Sequence, residues 1–238
     1  MKVNKFIWAD LSSYQPEKIK SFYENVFGWQ YFENEGYYSA FKNEKEVVGL
    51  YQTPLKFQEM KMPSFWMSYI QVDNVLETVK KAKSLGAIIE LVDTENEFGG
   101  VALIRDTLGA GFTVYDGSSL NSRTKSEKNT LIFNEFHVSD AKKAITFYQS
   151  LFNWNFIESS KNHFDVYIKQ SDEKIASILE IDNEIKSKYE YWVCVFGVEN
   201  LKETKQKVEK NKGFVIYNEG NRILCSDGSE AFFYIKEL

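Results

Sequence analysis

The sequence has few of the residues from which metal centres and disulfide scaffolds are built. Among its 238 residues there are two histidines, two cysteines and three prolines. Cys194 and Cys225 both lie in the second half, and two unpaired thiols are typical of core positions in a reducing compartment. A disulfide-rich scaffold is therefore excluded, and the scarcity of histidine limits the metal chemistry that the chain can support.

Long apolar runs and an excess of positive charge are also missing. No stretch reaches the roughly 18 apolar residues of a membrane span, and Asp10 stands where a secretory segment would need an apolar run. Lys and Arg number 29 against 34 Asp and Glu, a net charge of −5, so no basic face for nucleic acid is implied. We therefore expect a cytoplasmic protein that binds neither nucleic acid nor membrane.

The sequence does contain an internal repeat of about half its length. Residues 8–29 align without gaps with residues 133–154, and the segment 66–81 aligns with 192–207. The shared aromatic pairs are Phe22/Phe147, Tyr23/Tyr148, Phe27/Phe152, Trp29/Trp154 and Trp66/Trp192. The segment between the halves is polar and rich in Ser, Asn and Lys, which is typical of a linker. We predict two domains, residues 1–117 and 131–238, joined by a linker of residues 118–130.

Each half divides further into two similar modules. A strand-like run is followed by apolar residues at helical spacing from Ile19 to Phe27, with Pro16 at the start of the helix and Gly28 at its end. Three short strands follow, and the second module repeats this order with Asn74 as a helix N-cap. The pattern predicts an α+β fold of two tandem domains. In each, two βαβββ modules form a curved eight-stranded mixed sheet with a concave cavity.

Several short motifs in the first half carry a resemblance to a known family. They are Trp-x-Asp-Leu at residues 8–11, Phe22-Tyr23 with Phe27-Gly28-Trp29, Trp66-x-x-Tyr69-x-x-Val72-Asp73, and Arg105-Asp106-x-x-Gly109-Ala110. This set resembles the glyoxalase/bleomycin-resistance/dioxygenase superfamily, also called vicinal oxygen chelate proteins, and in particular its tandem glyoxalase-like bacterial members. The resemblance implies the fold but not the function, because lyases, dioxygenases, isomerases and metal-free drug-binding proteins share this fold.

The metal-ligand positions that the resemblance implies are occupied here by other residue types. These positions fall at or near Trp8, Met67, Thr113, Phe133, Val193 and Phe232. None of these residues is His, Asp, Glu or Cys, and a thioether is a poor ligand for the ions that the family uses. His163 lies in a turn-like segment, so we do not expect it to share a cavity with His137. The sequence therefore predicts no metal and no other cofactor.

Strand parity predicts which side chains face the cavities. The predicted ligand-binding residues are Trp8, Asp10, Tyr69 and Thr113 in the first domain and Phe133, Glu135, Phe232 and Tyr234 in the second. Asp10 and Glu135 occupy the same repeat position and, with His137, are candidates for a general acid or base. A structural alternative stands beside each: a carboxylate satisfied by backbone amides or by a neighbouring Arg or Lys, and a strand-end histidine that faces solvent. Trp8 and Phe133 either line pockets or fill the former metal site.

Three interpretations of the chain's role are compatible with these residues. The first is the binding of a small, partly aromatic organic molecule in one or both cavities, without the family's usual metal site, by a monomer or homodimer. The alternative is a glyoxalase/dioxygenase-type lyase, isomerase or oxygenase that uses a displaced metal site or acid–base chemistry. The third possibility is a scaffold whose cavities are plugged. Asp106 and Asp227 precede closing strands and are expected only to form turns.

Overall fold

A computed structural model describes residues 4–95, 97–121, 123–124, 126–169 and 171–238. Strands and helices follow the predicted modular order in both halves. The elements of the first half are β1 (Phe6–Ser13), α1 (Pro16–Phe27), β2 (Gln30–Asn34), β3 (Tyr37–Lys42), β4 (Lys45–Gln52), α2 (Leu55–Glu59), β5 (Phe65–Gln71), α3 (Val75–Ser84), β6 (Ile88–Asp93), β7 (Val101–Arg105) and β8 (Gly111–Tyr115). Those of the second half are β9 (Leu131–Val138), α4 (Ala141–Phe152), β10 (Trp154–Ser160), β11 (His163–Ile168), β12 (Lys174–Glu180), α5 (Asn183–Lys186), β13 (Tyr191–Val198), α6 (Leu201–Lys210), β14 (Phe214–Asn218), β15 (Arg222–Ser226) and β16 (Phe232–Glu237).

Each half forms one eight-stranded sheet, and the two sheets have the same strand order. The orders are β2-β3-β4-β1-β5-β8-β7-β6 and β10-β11-β12-β9-β13-β16-β15-β14. β1 and β4 run parallel, whereas β3 and β4 run antiparallel, so the sheets are mixed. The predicted fold class is therefore confirmed. The domain boundaries, which follow the sequence repeat, remain a prediction.

The helix ends lie where the local sequence signals place them. Pro16 is the first residue of α1, and Gly28 ends that helix in a left-handed conformation with φ of 69°, which glycine adopts without strain. The Asn74 side chain accepts a hydrogen bond from the backbone N–H of Glu77 and caps α3. The short helices α2 and α5, in the connecting segments, were not predicted. In the described part of the chain, no helix has the length and apolarity that crossing a membrane requires.

Side-chain packing groups the elements differently from the sheets. One compact unit contains described residues up to Ile7 and within 68–121 and 134–192; the other contains described residues within 8–67, 122–133 and 193–238. We call these the first and second packing units, and each has its own hydrophobic core. Helices α3 and α4 pack together in the first unit, and α1 and α6 pack together in the second. Each core therefore combines elements from both halves of a single chain.

A buried hydroxyl links an aspartate to a tryptophan in both packing units. In the first unit, Tyr148 Oη donates to Asp106 Oδ2 at 2.9 Å and accepts from Trp192 Nε1 at 2.9 Å. In the second, Tyr23 Oη forms the equivalent pair of bonds, at 2.9 Å to Asp227 Oδ2 and 3.1 Å from Trp66 Nε1. Tyr23 and Tyr148 are repeat partners, and so are Trp66 and Trp192. The sequence repeat therefore preserves this hydrogen-bond network.

The turn-forming role predicted for Asp106 and Asp227 is confirmed, but each aspartate does more. Asp106 Oδ1 accepts hydrogen bonds from the backbone N–H groups of Leu108 and Ala110 at 2.8 and 2.9 Å. Its second oxygen lies in the buried contact with Tyr148. Burial of the carboxyl group raises the pKa of Asp106 to about 6, because desolvation disfavours the charged form more than these hydrogen bonds favour it.

Both cysteines are buried free thiols, as predicted. Burial raises the pKa of the Cys225 thiol to about 12, which leaves it protonated and unreactive near neutral pH. The cysteines therefore belong to the core and not to a reactive site.

The raised pKa of Asp106 predicts that this residue makes folding pH-dependent. The folded chain binds this proton more tightly than the unfolded chain, so the stability contribution falls as the pH rises from 3.8 to about 6. Asparagine can keep the oxygen that accepts the turn amides but carries no charge. Between pH 3.8 and about 6, the unfolding free energy of Asp106→Asn should therefore fall by about 1–3 kcal/mol less than that of the wild type. Denaturant unfolding at several pH values measures this difference.

The matched control is Asp140→Asn, at the exposed N-cap of α4. A hydrogen bond from the backbone N–H of Lys143 lowers the pKa of Asp140, so its contribution changes with pH in the opposite direction, being lost as the pH falls. If Asp106→Asn retains the full pH dependence of the wild type, the assignment of that dependence to Asp106 is wrong.

Candidate functional site

The candidate site is built around Glu135, in the middle of β9. Its side chain is fully buried. The strand register places Ser177 of β12 directly opposite, and Ser177 Oγ donates to Glu135 Oε2 at 2.8 Å. A carboxylate in the interior needs such polar partners, because the energetic cost of burying an unpaired charge is large.

Both histidines of the chain lie beside this carboxylate. His137, two residues further along β9, places Nε2 3.1 Å from Glu135 Oε1, and its side chain is fully buried. His163 begins β11 and places Nε2 3.7 Å from Glu135 Oε2, with 26% of its side chain exposed. The cluster is therefore buried at His137 and partly accessible to solvent at His163.

One expectation and one structural alternative for these histidines are wrong. His163 does not lie in a turn away from His137, because it begins a strand that pairs with β12, the neighbour of β9. His137 is the penultimate residue of β9, but it does not face solvent, because its side chain is fully buried beside Glu135. Pairing between strands distant in sequence, which a local pattern does not specify, brings the two imidazoles to one carboxylate.

Tyr191, the first residue of β13, completes the hydrogen-bonded chain. Its Oη lies 3.3 Å from His137 Nδ1. Burial, followed by the negative charges of Glu135 and Glu190, raises the pKa of Tyr191, so the phenol stays protonated near neutral pH. No sequence pattern indicated this role, since Tyr191 matches Phe65 in the other half.

The segment that carries Tyr191 is anchored by a buried ion pair. Lys186 is fully buried, and its Nζ lies 3.0 Å from Glu190 Oε1. Glu190 also accepts a hydrogen bond from the backbone N–H of Ser139 at 2.8 Å. These contacts fix the residue before Tyr191 against the end of β9, which keeps the phenol close to His137.

In the first half, the same repeat position is occupied by Asp10, and its partners differ. Trp8 Nε1 and Tyr37 Oη both donate to Asp10 Oδ1, at 2.6 and 2.8 Å. Neither donor titrates near neutral pH, because burial raises the pKa of Tyr37 and an indole N–H is a donor only. Asp10 is therefore hydrogen-bonded by at least these two side chains, and a ligand-binding or acid–base role for it remains a prediction.

Tyr37 and His163 occupy equivalent places in the two halves. Tyr37 begins β3 and pairs with Tyr51 of β4, and His163 begins β11 and pairs with Leu179 of β12. Each lies beside the carboxylate of its own half. Aromatic donors thus bind the carboxylate of the first half, whereas two imidazoles lie beside the carboxylate of the second half.

The remaining predicted ligand-binding residues lie on the strands expected for them. Thr113 is buried on β8 and pairs with Tyr69 of β5. The Arg222 guanidinium lies 4.5 Å from the centre of the buried Tyr234 ring, and the Arg123 guanidinium lies 5.4 Å from the Phe133 ring. Phe232 is the half-buried first residue of β16. A ligand-binding role for these residues remains a prediction.

The side chains present do not fit a resident metal at the positions that the resemblance implies. The Trp8 indole nitrogen carries a hydrogen and donates it to Asp10, and Phe133 and Val193 have no donor atom for a metal. Glu135 and the two histidines have the residue types of a 2-His-1-carboxylate site, but the imidazoles approach opposite carboxylate oxygens, one of which also binds Ser177. Across the described residues, no three His, Cys, Asp or Glu side chains are arranged to hold a metal ion.

Comparison with known proteins supports the resemblance found in the sequence. Residues 6–114 match the model of the Glyoxalase/Bleomycin resistance protein/Dioxygenase superfamily. A protein named "Putative glyoxylase CFP32" from Mycobacterium bovis is 26% identical over 219 residues, which cover 88% of this chain and 83% of the relative. A protein of the same name from Mycobacterium tuberculosis matches to the same extent.

Solved structures confirm the two-domain fold. A variant of homoprotocatechuate 2,3-dioxygenase from B. fuscum, in complex with HPCA, has a TM-score of 0.68 and 12% identity, over 99% of this chain and 71% of that one. A Mn(II)-bound glyoxalase from Novosphingobium aromaticivorans has a TM-score of 0.67 and 10% identity, over 99% of this chain and 82% of that one. At these identities the likeness concerns the fold alone.

The donor chemistry predicts a chain without a resident metal. After purification and dialysis, elemental analysis should find no stoichiometric Zn, Fe, Mn or Ni, because the family's ligand positions carry no suitable donors. Near-equimolar metal in the wild type that is lost in a His137→Gln, His163→Gln double variant would contradict this prediction and place a metal at Glu135.

Proposed function

We propose that this chain, whose residues 6–114 match the glyoxalase/bleomycin resistance protein/dioxygenase superfamily, binds a small, partly aromatic organic molecule at Glu135 without a resident metal. The observation that carries the proposal is the convergence of both histidines on one buried carboxylate. Buried ionisable groups with specific charged partners occur preferentially at functional sites. A buried carboxylate can also be held by donors that do not titrate near neutral pH, as Trp8 and Tyr37 hold Asp10.

The hydrogen-bond pattern assigns a role to each member of the cluster. A neutral imidazole carries a hydrogen on one nitrogen only. Because Glu135 is an acceptor, the hydrogen of His137 belongs on Nε2, and Nδ1 then accepts from Tyr191. Glu135 Oε1 is thereby engaged with the fully buried imidazole. A bound molecule would reach Glu135 past the His163 side chain, which is 26% exposed.

Acid–base catalysis by a lyase or isomerase is the second candidate function. The observation that favours it is the 3.1 Å contact between Glu135 and His137, since a carboxylate and an imidazole within hydrogen-bond reach can take up and pass on a proton. The names of the mycobacterial relatives and of the Mn(II)-bound structure point to glyoxalase chemistry in those proteins. An oxygenase has less support, because the family's ligand positions hold no suitable donors for a redox metal.

Location and assembly remain open proposals. We expect a cytoplasmic monomer or homodimer, with the small organic molecule as its partner. Pairing of α1 with α6 and of α3 with α4 within one chain means that neither packing unit requires a second copy to complete its core.

Replacing Glu135 by Gln tests the proposal. This change nearly preserves shape but removes the charge, so it should weaken binding by roughly 1.5–3 kcal/mol, the scale of a hydrogen bond to a charged group. For a ligand identified by its effect on the melting temperature, calorimetry should show Kd rising about 10- to 150-fold.

Glu90→Gln is the matched control. Glu90 is also nearly buried in the first packing unit, where its Oε1 lies 2.7 Å from Arg105 Nη2. Its replacement removes the same charge away from the cluster and should leave Kd unchanged. Equal affinities for the wild type and a folded Glu135→Gln variant would show that Glu135 is structural.

A further inference from the structure

We infer that the ligand is anchored at Glu135 by a neutral hydroxyl group that bridges His163 Nε2 and Glu135 Oε2. The inference rests on the proposed function and adds the chemistry of the anchoring group. The two protein atoms are 3.7 Å apart, which is too far for a direct hydrogen bond. An oxygen placed beside both atoms can bond to each of them.

The first support is the state of the His163 ring. Although 26% of the side chain is exposed, the Nε2 atom itself is buried, and it finds no hydrogen-bond partner among the described residues. A buried polar atom without a partner costs about 1–3 kcal/mol. A ligand atom that satisfies this nitrogen therefore binds more strongly than one that only packs against the ring.

The second support is the pair of hydrogen-bonding roles that the bridging group must combine. The negative Glu135 carboxylate nearby favours the His163 tautomer with a hydrogen on Nε2. The bridging group must then accept from His163 and donate to Glu135. A hydroxyl does both, whereas a carbonyl or ether cannot donate and an ammonium cannot accept. Ser177 already donates to Glu135 Oε2, and a carboxylate oxygen can accept more than one hydrogen bond.

The third support comes from the first half of the chain, where a hydroxyl of this kind is built in. Tyr37, at the place equivalent to His163, donates its phenol hydroxyl to Asp10. Gly49, opposite Asp10, makes this approach possible, because a Cβ atom there would clash with Tyr37 Oη and Asp10 Oδ1. The second half has Ser177 in place of Gly49 and His163 in place of Tyr37. At the place of the Tyr37 phenol the second half therefore has an imidazole, and we assign the role of that phenol to the ligand.

The test uses two fluorinated probes that differ in one hydrogen-bonding property. 4-Fluorophenol can both donate and accept at its oxygen, whereas 4-fluoroanisole can only accept. Titration of the full-length chain, followed by ¹⁹F NMR, should give a Kd for 4-fluorophenol at least tenfold lower than for 4-fluoroanisole. His163→Phe should abolish this preference, since the ring remains but the donor is lost.

Further variants keep the test decisive. Tyr37→Phe removes the corresponding hydroxyl of the first half and should leave the preference for 4-fluorophenol unchanged. If His163→Phe fails to fold, as judged by circular dichroism, His163→Gln replaces it and should reduce the preference. His163→Tyr with Ser177→Gly copies the first-half arrangement and should lower affinity for 4-fluorophenol at least tenfold, because the new phenol competes for Glu135.

The outcomes distinguish the inference from the proposed function. Equal affinity for both probes, with both weakened by Glu135→Gln, would overturn the hydroxyl anchor and leave binding at Glu135 intact. A preference for 4-fluorophenol that persists in both His163→Phe and His163→Gln would also overturn it. If Glu135→Gln leaves the affinity for both probes unchanged, the inference and the proposed function are both contradicted.

Discussion

A carboxylate buried in the middle of a β-strand has to be paired or hydrogen-bonded, and this constraint shapes both halves of the chain. In the first half, Asp10 is held by an indole and a phenol, and neither of these changes its protonation near neutral pH. In the second half, Glu135 lies among a serine hydroxyl and two imidazoles. The same position in the repeat therefore lies beside an indole and a phenol in one half and beside two imidazoles in the other, and this difference is the physical basis of the proposed function.

The repeat explains how such a difference can arise without disturbing the fold. Two of the shared aromatic pairs, Tyr23/Tyr148 and Trp66/Trp192, form equivalent buried networks with Asp227 and Asp106 in the two packing units. These networks lie in cores that combine elements from both halves. The residues around the carboxylates are not shared: Tyr37 is matched by His163, and Gly49 by Ser177. Conserving the core of a duplicated fold while changing its sheet residues allows one copy to take on chemistry that the other does not carry.

Much of the fold could be predicted because its signals are local. Helical spacing of apolar residues, Pro16 and Gly28 at the ends of α1, and Asn74 before α3 all specify structure within a few residues. Because residues 8–29 align without gaps with residues 133–154, the same prediction extends to the second half. Strand parity also correctly predicted that the Glu135 and His137 side chains lie on the same face of β9, because the two residues are two positions apart.

The rest of the candidate site depends on contacts between residues distant in sequence. His163 and Ser177 reach Glu135 through strand pairing, and a one-residue change of register would turn either side chain away. The turn-like composition around His163 favoured a loop, but the residue begins β11. Tyr191 contacts His137 across 54 positions. Sequence patterns therefore predicted the helices and strands, but the register between paired strands determines which polar side chains meet.

The most direct test of this account is the state of the two imidazoles, which the chain's two histidines allow NMR to resolve individually. A long-range ¹H–¹⁵N spectrum at neutral pH should show His137 with its hydrogen on Nε2, and that hydrogen should exchange slowly with solvent because it is buried against Glu135. Glu135→Gln should shift this signal strongly, whereas Glu90→Gln should leave it in place. A His137 ring that carries its hydrogen on Nδ1, or a spectrum unchanged in Glu135→Gln, would contradict the central claim that Glu135 and His137 act as a pair.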